Sequence, residues 1–171
     1  VRDGVLDVCE SATCLRFLLA ACALMPRSHY RFLLGDSLAK RPHQGLIEAL
    51  RCLGAQISQD LPYISLDSHG YQSQEIRIDT NISSQYVSAL LMAAPLAEKP
   101  YSLVLDQPSL IEKPYIQMTI DLMQKWGIEL KQKDHQGRLC LQVQKGAYQG
   151  CDYQVEADYA TASYFFVAVL M

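Results

Sequence analysis

The 171-residue chain has no hydrophobic run of membrane-spanning length: Phe17 to Met25 and Tyr164 to Met171 are its longest, far short of the ~20 residues needed. No secretory signal pattern is present, and we expect no membrane partner. Charge of one sign is also lacking. Lys and Arg number 15 against 18 Asp and Glu, net −3, and the two signs are interspersed. That leaves no basic stripe of the kind nucleic acid or an anionic bilayer requires. The six cysteines (Cys9, Cys14, Cys22, Cys52, Cys140, Cys151) form no C-x-x-C pair. Several lie in apolar runs where a thiol acts as a small hydrophobe, which favours reduced core cysteines in a cytoplasmic protein over disulfides. His29, His43, His69 and His135 are scattered, and there is no H-E-x-x-H, P-loop or G-x-G-x-x-G. We therefore expect neither a metal nor a nucleotide site. An initiator Met is missing at Val1, and the chain stops at Met171 in an apolar segment without a capping Gly or polar tail. It reads as a piece cut from something longer.

What is present is enough apolar material, 50% of the residues, for one well-cored α/β domain spanning residues 1–171. Ser11 to Met25 and Ser83 to Leu96 are apolar runs of helical length, each opened by a small hydroxyl residue suited to an N-cap. A second helix type starts at Arg41-Pro42 and Lys113-Pro114 and runs to Gly54 and Gly127, glycines suited to the position after a helix end. Leu46, Leu50 and Leu53 mark one face of the first, and Met118, Leu122 and Trp126 one face of the second. The offsets agree: 83 − 11 = 72 and 113 − 41 = 72. Two copies of one strand-helix-strand-helix-strand-strand unit are implied. Strands are expected at Tyr30 to Leu34, Gln56 to Ser58, Tyr63 to Leu66, Glu75 to Asp79, Tyr101 to Leu105, Ile128 to Lys131, Leu139 to Val143 and Tyr153 to Glu156. A third unit begins with the apolar helix Asp158 to Leu170. The period is long for a solenoid and favours units folded around a shared centre.

Helix starts at Ser11, Ser83 and Thr161, if brought to one side, would aim free N–H groups at a common space suited to an anion. Taken singly, each is better read as a plain cap. Ser83-Ser84-Gln85 is more specific, placing two hydroxyls and an amide where one cap suffices. Arg16, alone in an apolar helix, calls for an anion or a carboxylate, or else snorkels to the surface. Arg41 at a helix start is misplaced for the helix dipole unless something negative binds there; a solvated loop arginine is the other reading.

The segments that carry these residues resemble those of the enolpyruvyl transferase family typified by 3-phosphoshikimate 1-carboxyvinyltransferase (EPSP synthase). Cys9-Glu10-Ser11-Ala12-Thr13-Cys14-Leu15-Arg16 is similar to the family's N/E-S/A-G-T-x-x-R motif, Lys40-Arg41-Pro42 to its R-P helix start, and Ile82-Ser83-Ser84-Gln85-Tyr86 to its S-S-Q-F/Y motif. Lys113-Pro114-Tyr115-Ile116 resembles K-P-Y-I, and Asp158 through Phe165 resembles D-x-S-S-A-S-Y-F. The order and spacing hold through essentially the whole chain.

This resemblance implies a two-domain enzyme of repeated βαβαββ units, an inside-out α/β barrel in each domain, with this chain covering most of the N-terminal domain. The reaction implied is transfer of the enolpyruvyl group of phosphoenolpyruvate to the 5-hydroxyl of shikimate 3-phosphate, without metal or organic cofactor. Carried over, Arg41 binds phosphoenolpyruvate, Ser83 and Ser84 the shikimate phosphate, and Gln85 either ligand or the space between. Arg16 and Tyr115 belong to the same wall. The proton-transfer groups belong to the other domain, so the chain alone is expected to be inert. Two positions depart from the family pattern. Ala12 replaces a glycine close to phosphoenolpyruvate, which implies poor binding of the longer inhibitor glyphosate. Glu112 replaces a serine near the shikimate phosphate, where a carboxylate would repel the dianion unless turned away or paired with Lys113. A UDP-N-acetylglucosamine enolpyruvyl transferase, or a non-catalytic derivative of the fold, are the competing readings.

Overall fold

The computed structural model describes residues 2–70, 75–79, 81, 83–110 and 113–170. The order of elements is β1 (Arg2–Cys9), α1 (Ala12–Ala23), β2 (Ser28–Leu34), α2 (Gln44–Cys52), β3 (Gln56–Asp60) and β4 (Tyr63–Ser68). It continues with β5 (Glu75–Ile78), α3 (Ser84–Ala93), β6 (Ser102–Leu105), α4 (Pro114–Lys125), β7 (Leu130–His135), β8 (Arg138–Val143) and α5 (Tyr159–Leu170). Short 3-10 turns lie at Leu38–Lys40 and Ala94–Leu96.

The sequence repeat is a repeat of topology. One sheet has the order β1-β2-β4-β3 and the other β5-β6-β8-β7. In each, the first strand lies parallel to the second, and a hairpin places its later strand antiparallel beside the second. Parallel neighbours need a crossover, and α1 and α3 supply it. The two α2-type helices also end alike. Ala55 N–H donates to Leu50 O and Ile128 N–H to Met123 O, each at 3.0 Å. Gly54 and Gly127 take the left-handed backbone that this ending demands, with φ of 105° and 81°.

One hydrophobic cluster runs through both units, from Leu15, Leu19 and Phe32 through Leu46 and Leu50 to Val87, Leu90, Ile120 and Leu141. Arg16, Ser28, His43, Ser68, Ser88 and Thr119 are the polar residues buried with it. All six cysteines are unpaired. Only Cys22 and Cys140 are buried, so the core reading of the thiols is corrected for the other four, which are exposed.

Other expectations are corrected as well. β1 was not foreseen: it is an edge strand that mixes charged and apolar residues, with Val5 60% exposed. α4 buries Ile116, Thr119, Ile120 and Met123 rather than the Met118-Leu122-Trp126 stripe. That stripe looks onto grooves instead. Tyr153 to Glu156 is not a strand. In both complete units the first strand pairs with the strand that follows its helix, and among the described residues nothing follows α5. The helix at Pro42 starts two residues later than expected, because Arg41 is extended (φ −80°, ψ 153°), as a residue before proline tends to be. No helix among the described residues is long and apolar enough to cross a membrane.

Candidate functional site

The site is built where the loops after β1 and β2 meet the starts of α1 and α3. β1 ends on Cys9, in a left-handed conformation (φ 47°) fastened by the Asp7 carboxylate, which accepts the Cys9 N–H at 2.9 Å. The next residue, Glu10, accepts the N–H groups of Ser37 (3.2 Å) and Leu38 (2.7 Å), tying the two loops together. Ser11 then caps α1 by accepting from Cys14 N–H at 3.2 Å, and Ser83 caps α3 by accepting from Gln85 N–H at 3.3 Å.

Arg16, one turn into α1, is 8% exposed. Its Nη1 donates to Gln85 Oε1 at 2.6 Å and to Ser83 Oγ at 3.2 Å, and its Nη2 to Pro42 O at 3.4 Å. The Tyr86 ring lies 5.1 Å beneath the guanidinium carbon, a distance at which a π face attracts a cation. Tyr86 OH donates to the same Pro42 carbonyl at 2.5 Å. Gln85 completes the join, its Nε2 donating to Thr13 Oγ1 at 3.2 Å. The guanidinium can only donate, so the amide oxygen must face Arg16 and the amide nitrogen Thr13. Among the described residues no carboxylate is a partner of Arg16. Among the described residues, then, Arg16 is a buried cation held by neutral groups and not a snorkelling surface side chain.

Beside this network opens a cavity of about 610 Å³ lined by Arg16, Asn81, Ser83, Ser84, Gln85, Lys113, Tyr115 and Thr119, among others. Of the sequence-predicted residues, Arg16, Ser83, Ser84, Gln85 and Tyr115 therefore meet on one wall. Arg41 is exposed and does not line the cavity. Its neighbour Pro42 nonetheless supplies the carbonyl on which Arg16 and Tyr86 converge. Ala12 is buried in the first turn of α1, off the cavity wall. Glu112 lies outside the described residues. Of the three helix starts expected to converge, only that at Ser83 lines the cavity; Ser11 does not. α5 begins at Tyr159, and its Thr161 N–H is taken by the Asp158 carboxylate at 3.1 Å, away from the cavity lining.

Several lining residues escaped the sequence reading. Lys113 was named as a helix start, in the K-P-Y-I segment and as a partner for Glu112, but not as a site residue, although its 72-residue offset from Arg41 could have marked it. Ser88 and Thr119 share a hydrogen bond of 2.8 Å, and Thr119 Oγ1 donates to Tyr115 O at 2.8 Å, fixing the start of α4 against α3. Two ionisable groups feel the wall. Burial pushes the Tyr86 hydroxyl above its usual pKa, partly offset by Arg16. Burial, with the charges of Arg16 and Arg41, pushes His43 below its usual value against the opposing bond to Leu38. Among the described residues no cluster of three or more His, Cys, Asp or Glu is placed to hold a metal.

Two βαβαββ units, with a buried arginine and the starts of α3 and α4 lining one concavity, define an α/β repeat protein. A profile of the EPSP synthase (3-phosphoshikimate 1-carboxyvinyltransferase) family matches residues 2–171, and the chain belongs to that family. It is 35% identical over 178 residues to the 3-phosphoshikimate 1-carboxyvinyltransferase of Methanosphaera stadtmanae, covering 99% of this chain and 41% of that protein. Against the Methanocaldococcus jannaschii protein of the same name it is 35% identical over 172 residues, covering 97% and 39%. An EPSP synthase structure from Acinetobacter baumannii superposes with a TM-score of 0.70 at 25% identity, over 96% of this chain and 36% of that one. The chain thus spans about two fifths of the length of its curated relatives.

Proposed function

We propose that this chain is most of the N-terminal domain of an enzyme that transfers the enolpyruvyl group of phosphoenolpyruvate to the 5-hydroxyl of shikimate 3-phosphate, releasing phosphate. The single observation that carries the reading is the Arg16 guanidinium, buried with no carboxylate partner among the described residues, beside the capped start of α3 and the Ser83 and Ser84 hydroxyls. A phosphate dianion seated there meets N–H groups at a helix N-terminus, hydroxyl donors and a cationic fork at once. Ser83, Ser84 and Gln85 take the shikimate phosphate. Tyr115 and Lys113 flank it from the start of α4. Arg41, exposed and outside the cavity lining, is left for phosphoenolpyruvate, together with Ala12. The enzyme works in the cytoplasm, in keeping with six unpaired cysteines.

Addition followed by elimination needs groups that deliver and remove protons. The described wall offers cations, hydroxyls and amides but no carboxylate among its lining residues. The proton-transfer groups then come from a second domain of the same polypeptide, and residues 1–171 alone bind shikimate 3-phosphate weakly and turn nothing over. Titration of the full-length protein with shikimate 3-phosphate, followed by assay of phosphate release on adding phosphoenolpyruvate, tests this. Saturable binding and phosphate release are expected; a full-length protein that ignores shikimate 3-phosphate at millimolar concentration ends the proposal. No observation here favours UDP-N-acetylglucosamine as the acceptor.

A further inference from the structure

Glu10 lies outside the cavity lining, yet both of its carboxylate oxygens are engaged. Oε1 accepts the N–H of Ser37 at 3.2 Å and Oε2 that of Leu38 at 2.7 Å. The seat is shaped for it: a Cβ added at Gly35 would stand 2.6 Å from the Glu10 carboxylate carbon, so a residue larger than glycine would push the side chain off. Leu38 is the hub of the turn that follows. Its side chain is buried, Glu10 holds its N–H, and its carbonyl accepts the N–H of Arg41 at 3.0 Å and faces His43 Nε2 at 2.9 Å. Two hydrogen bonds thus connect the Glu10 carboxylate to the backbone of Arg41. The second unit makes the same backbone bond, Lys113 N–H to Leu110 O at 2.8 Å, and these residues stand 72 positions after Arg41 and Leu38. At the same offset from Glu10 is Ile82, whose side chain has no acceptor. That bond forms in the second unit without a carboxylate at this position, so the carboxylate is an addition confined to the unit that carries Arg41.

We propose that Glu10 is a positioning residue for Arg41: its carboxylate pins the turn from Ser37 to Arg41 against the start of α1 and so fixes where the Arg41 guanidinium meets phosphoenolpyruvate. The backbone of Arg41 is already extended before Pro42, which leaves the placement of the turn as a whole to be set. Two hydrogen bonds to a charged acceptor set it, and such bonds are stronger than those between neutral groups. Placement matters here because a displacement of about 1 Å is enough to spoil a reacting geometry. The inference deepens the proposed function and rests on that reading for its ligand.

A double-mutant cycle in the full-length protein tests this, with Glu10→Gln, Arg41→Ala and the two combined. Glutamine keeps the length of the side chain and one acceptor oxygen but turns an amide NH2 toward the second N–H. KM for phosphoenolpyruvate is expected to rise about tenfold in Glu10→Gln, the low end for losing one hydrogen bond to a charged group. The dissociation constant for shikimate 3-phosphate, assigned to residues of α3, should stay within about twofold, the scatter of independent sites. In the Arg41→Ala background the Glu10 change should move KM by less than about twofold, because the group being positioned is gone. A role confined to stability would instead lower the melting temperature in both backgrounds and penalise KM equally in each. Hydrogen exchange gives a second measurement: the Leu38 amide should exchange slowly in wild type and faster in Glu10→Gln. The inference is overturned by a wild-type KM in Glu10→Gln, by the same KM penalty in both backgrounds, by equal weakening of both ligands, or by unchanged Leu38 exchange. If Arg41→Ala itself leaves KM for phosphoenolpyruvate unchanged, or wild type ignores shikimate 3-phosphate, the functional reading falls and takes this inference with it. An impaired Arg41→Ala beside an unimpaired Glu10→Gln removes the inference alone.

Discussion

At the scale of single residues, Arg16 is the position on which most depends, because three neutral acceptors and an aromatic ring hold one charge in place. Lysine keeps the charge and loses the fork, so Arg16→Lys in the full-length protein is expected to weaken shikimate 3-phosphate by about 1.5–3 kcal/mol, the range for a hydrogen bond to a charged group. Calorimetric titration reads this directly, and unchanged affinity would remove Arg16 from the site. Ala12 raises a question of volume rather than charge. Ala12 is buried off the wall of the described cavity; in the phosphoenolpyruvate site proposed above, Ala12→Gly is expected to tighten glyphosate inhibition by about 1–3 kcal/mol, the effect of one methylene-sized change. An inhibition assay showing equal sensitivity would dismiss it. His43 bears on pH. Its pKa is lowered in the folded state from an ordinary value of 6.5, so the unfolded chain binds more protons in the window just below 6.5. Its stabilising contribution is therefore complete above 6.5 and is lost as pH falls from there toward the lower folded value. Thermal melts between pH 7.5 and 5.5 should show a smaller acid loss for His43→Gln than for wild type.

At the scale of elements, the two units can be compared part by part. Gly127 closes α4 with φ 81°. An added Cβ would come within 3.0 Å of the Gln149 side chain, which is exposed and can swing aside. The backbone is then the larger cost, and Gly127→Ala should destabilise the protein by about 1–2 kcal/mol, measured by denaturant unfolding. A loss below ~0.3 kcal/mol would mean that the helix ending had relaxed. This glycine was legible in the sequence, as were the 72-residue offset, the serine caps and the anomaly of Arg16. Each is a local rule written in a few adjacent residues. β1 was not legible, because an edge strand bonded on one side need not bury alternate residues, and Arg2 to Cys9 carry no clean period. Nor was the buried face of α4, where two apolar stripes compete and only packing against α3 chooses Ile116, Ile120 and Met123. The site followed the same division. Residues at helix starts were visible, while Thr119, which joins the wall through its bond to Ser88, distant in sequence, has no local signature.

At the scale of the whole molecule, α5 is the element that does not fit the part described. Its composition is that of α1 and α3, apolar all round, which marks a helix for the interior. Yet none of its residues is buried: Tyr164, Phe165, Val169 and Leu170 are between 71% and 86% exposed. By the logic of the repeat, α5 opens a third unit and should lie against its counterparts, as α1 and α3 lie against each other. On these counterparts and on α4, Leu18, Met92 and Met118 remain exposed to receive a neighbour. Large contiguous apolar surface of this kind drives dye binding and self-association. Residues 1–171 expressed alone are therefore expected to bind a hydrophobic probe dye strongly and to self-associate at micromolar concentration. A chain ending at residue 157 should lose most of the dye signal and keep the far-ultraviolet dichroism of the two complete units. Equal dye binding by the two would mean that the exposed surface lies in those units themselves, and that α5 is not the face awaiting a partner.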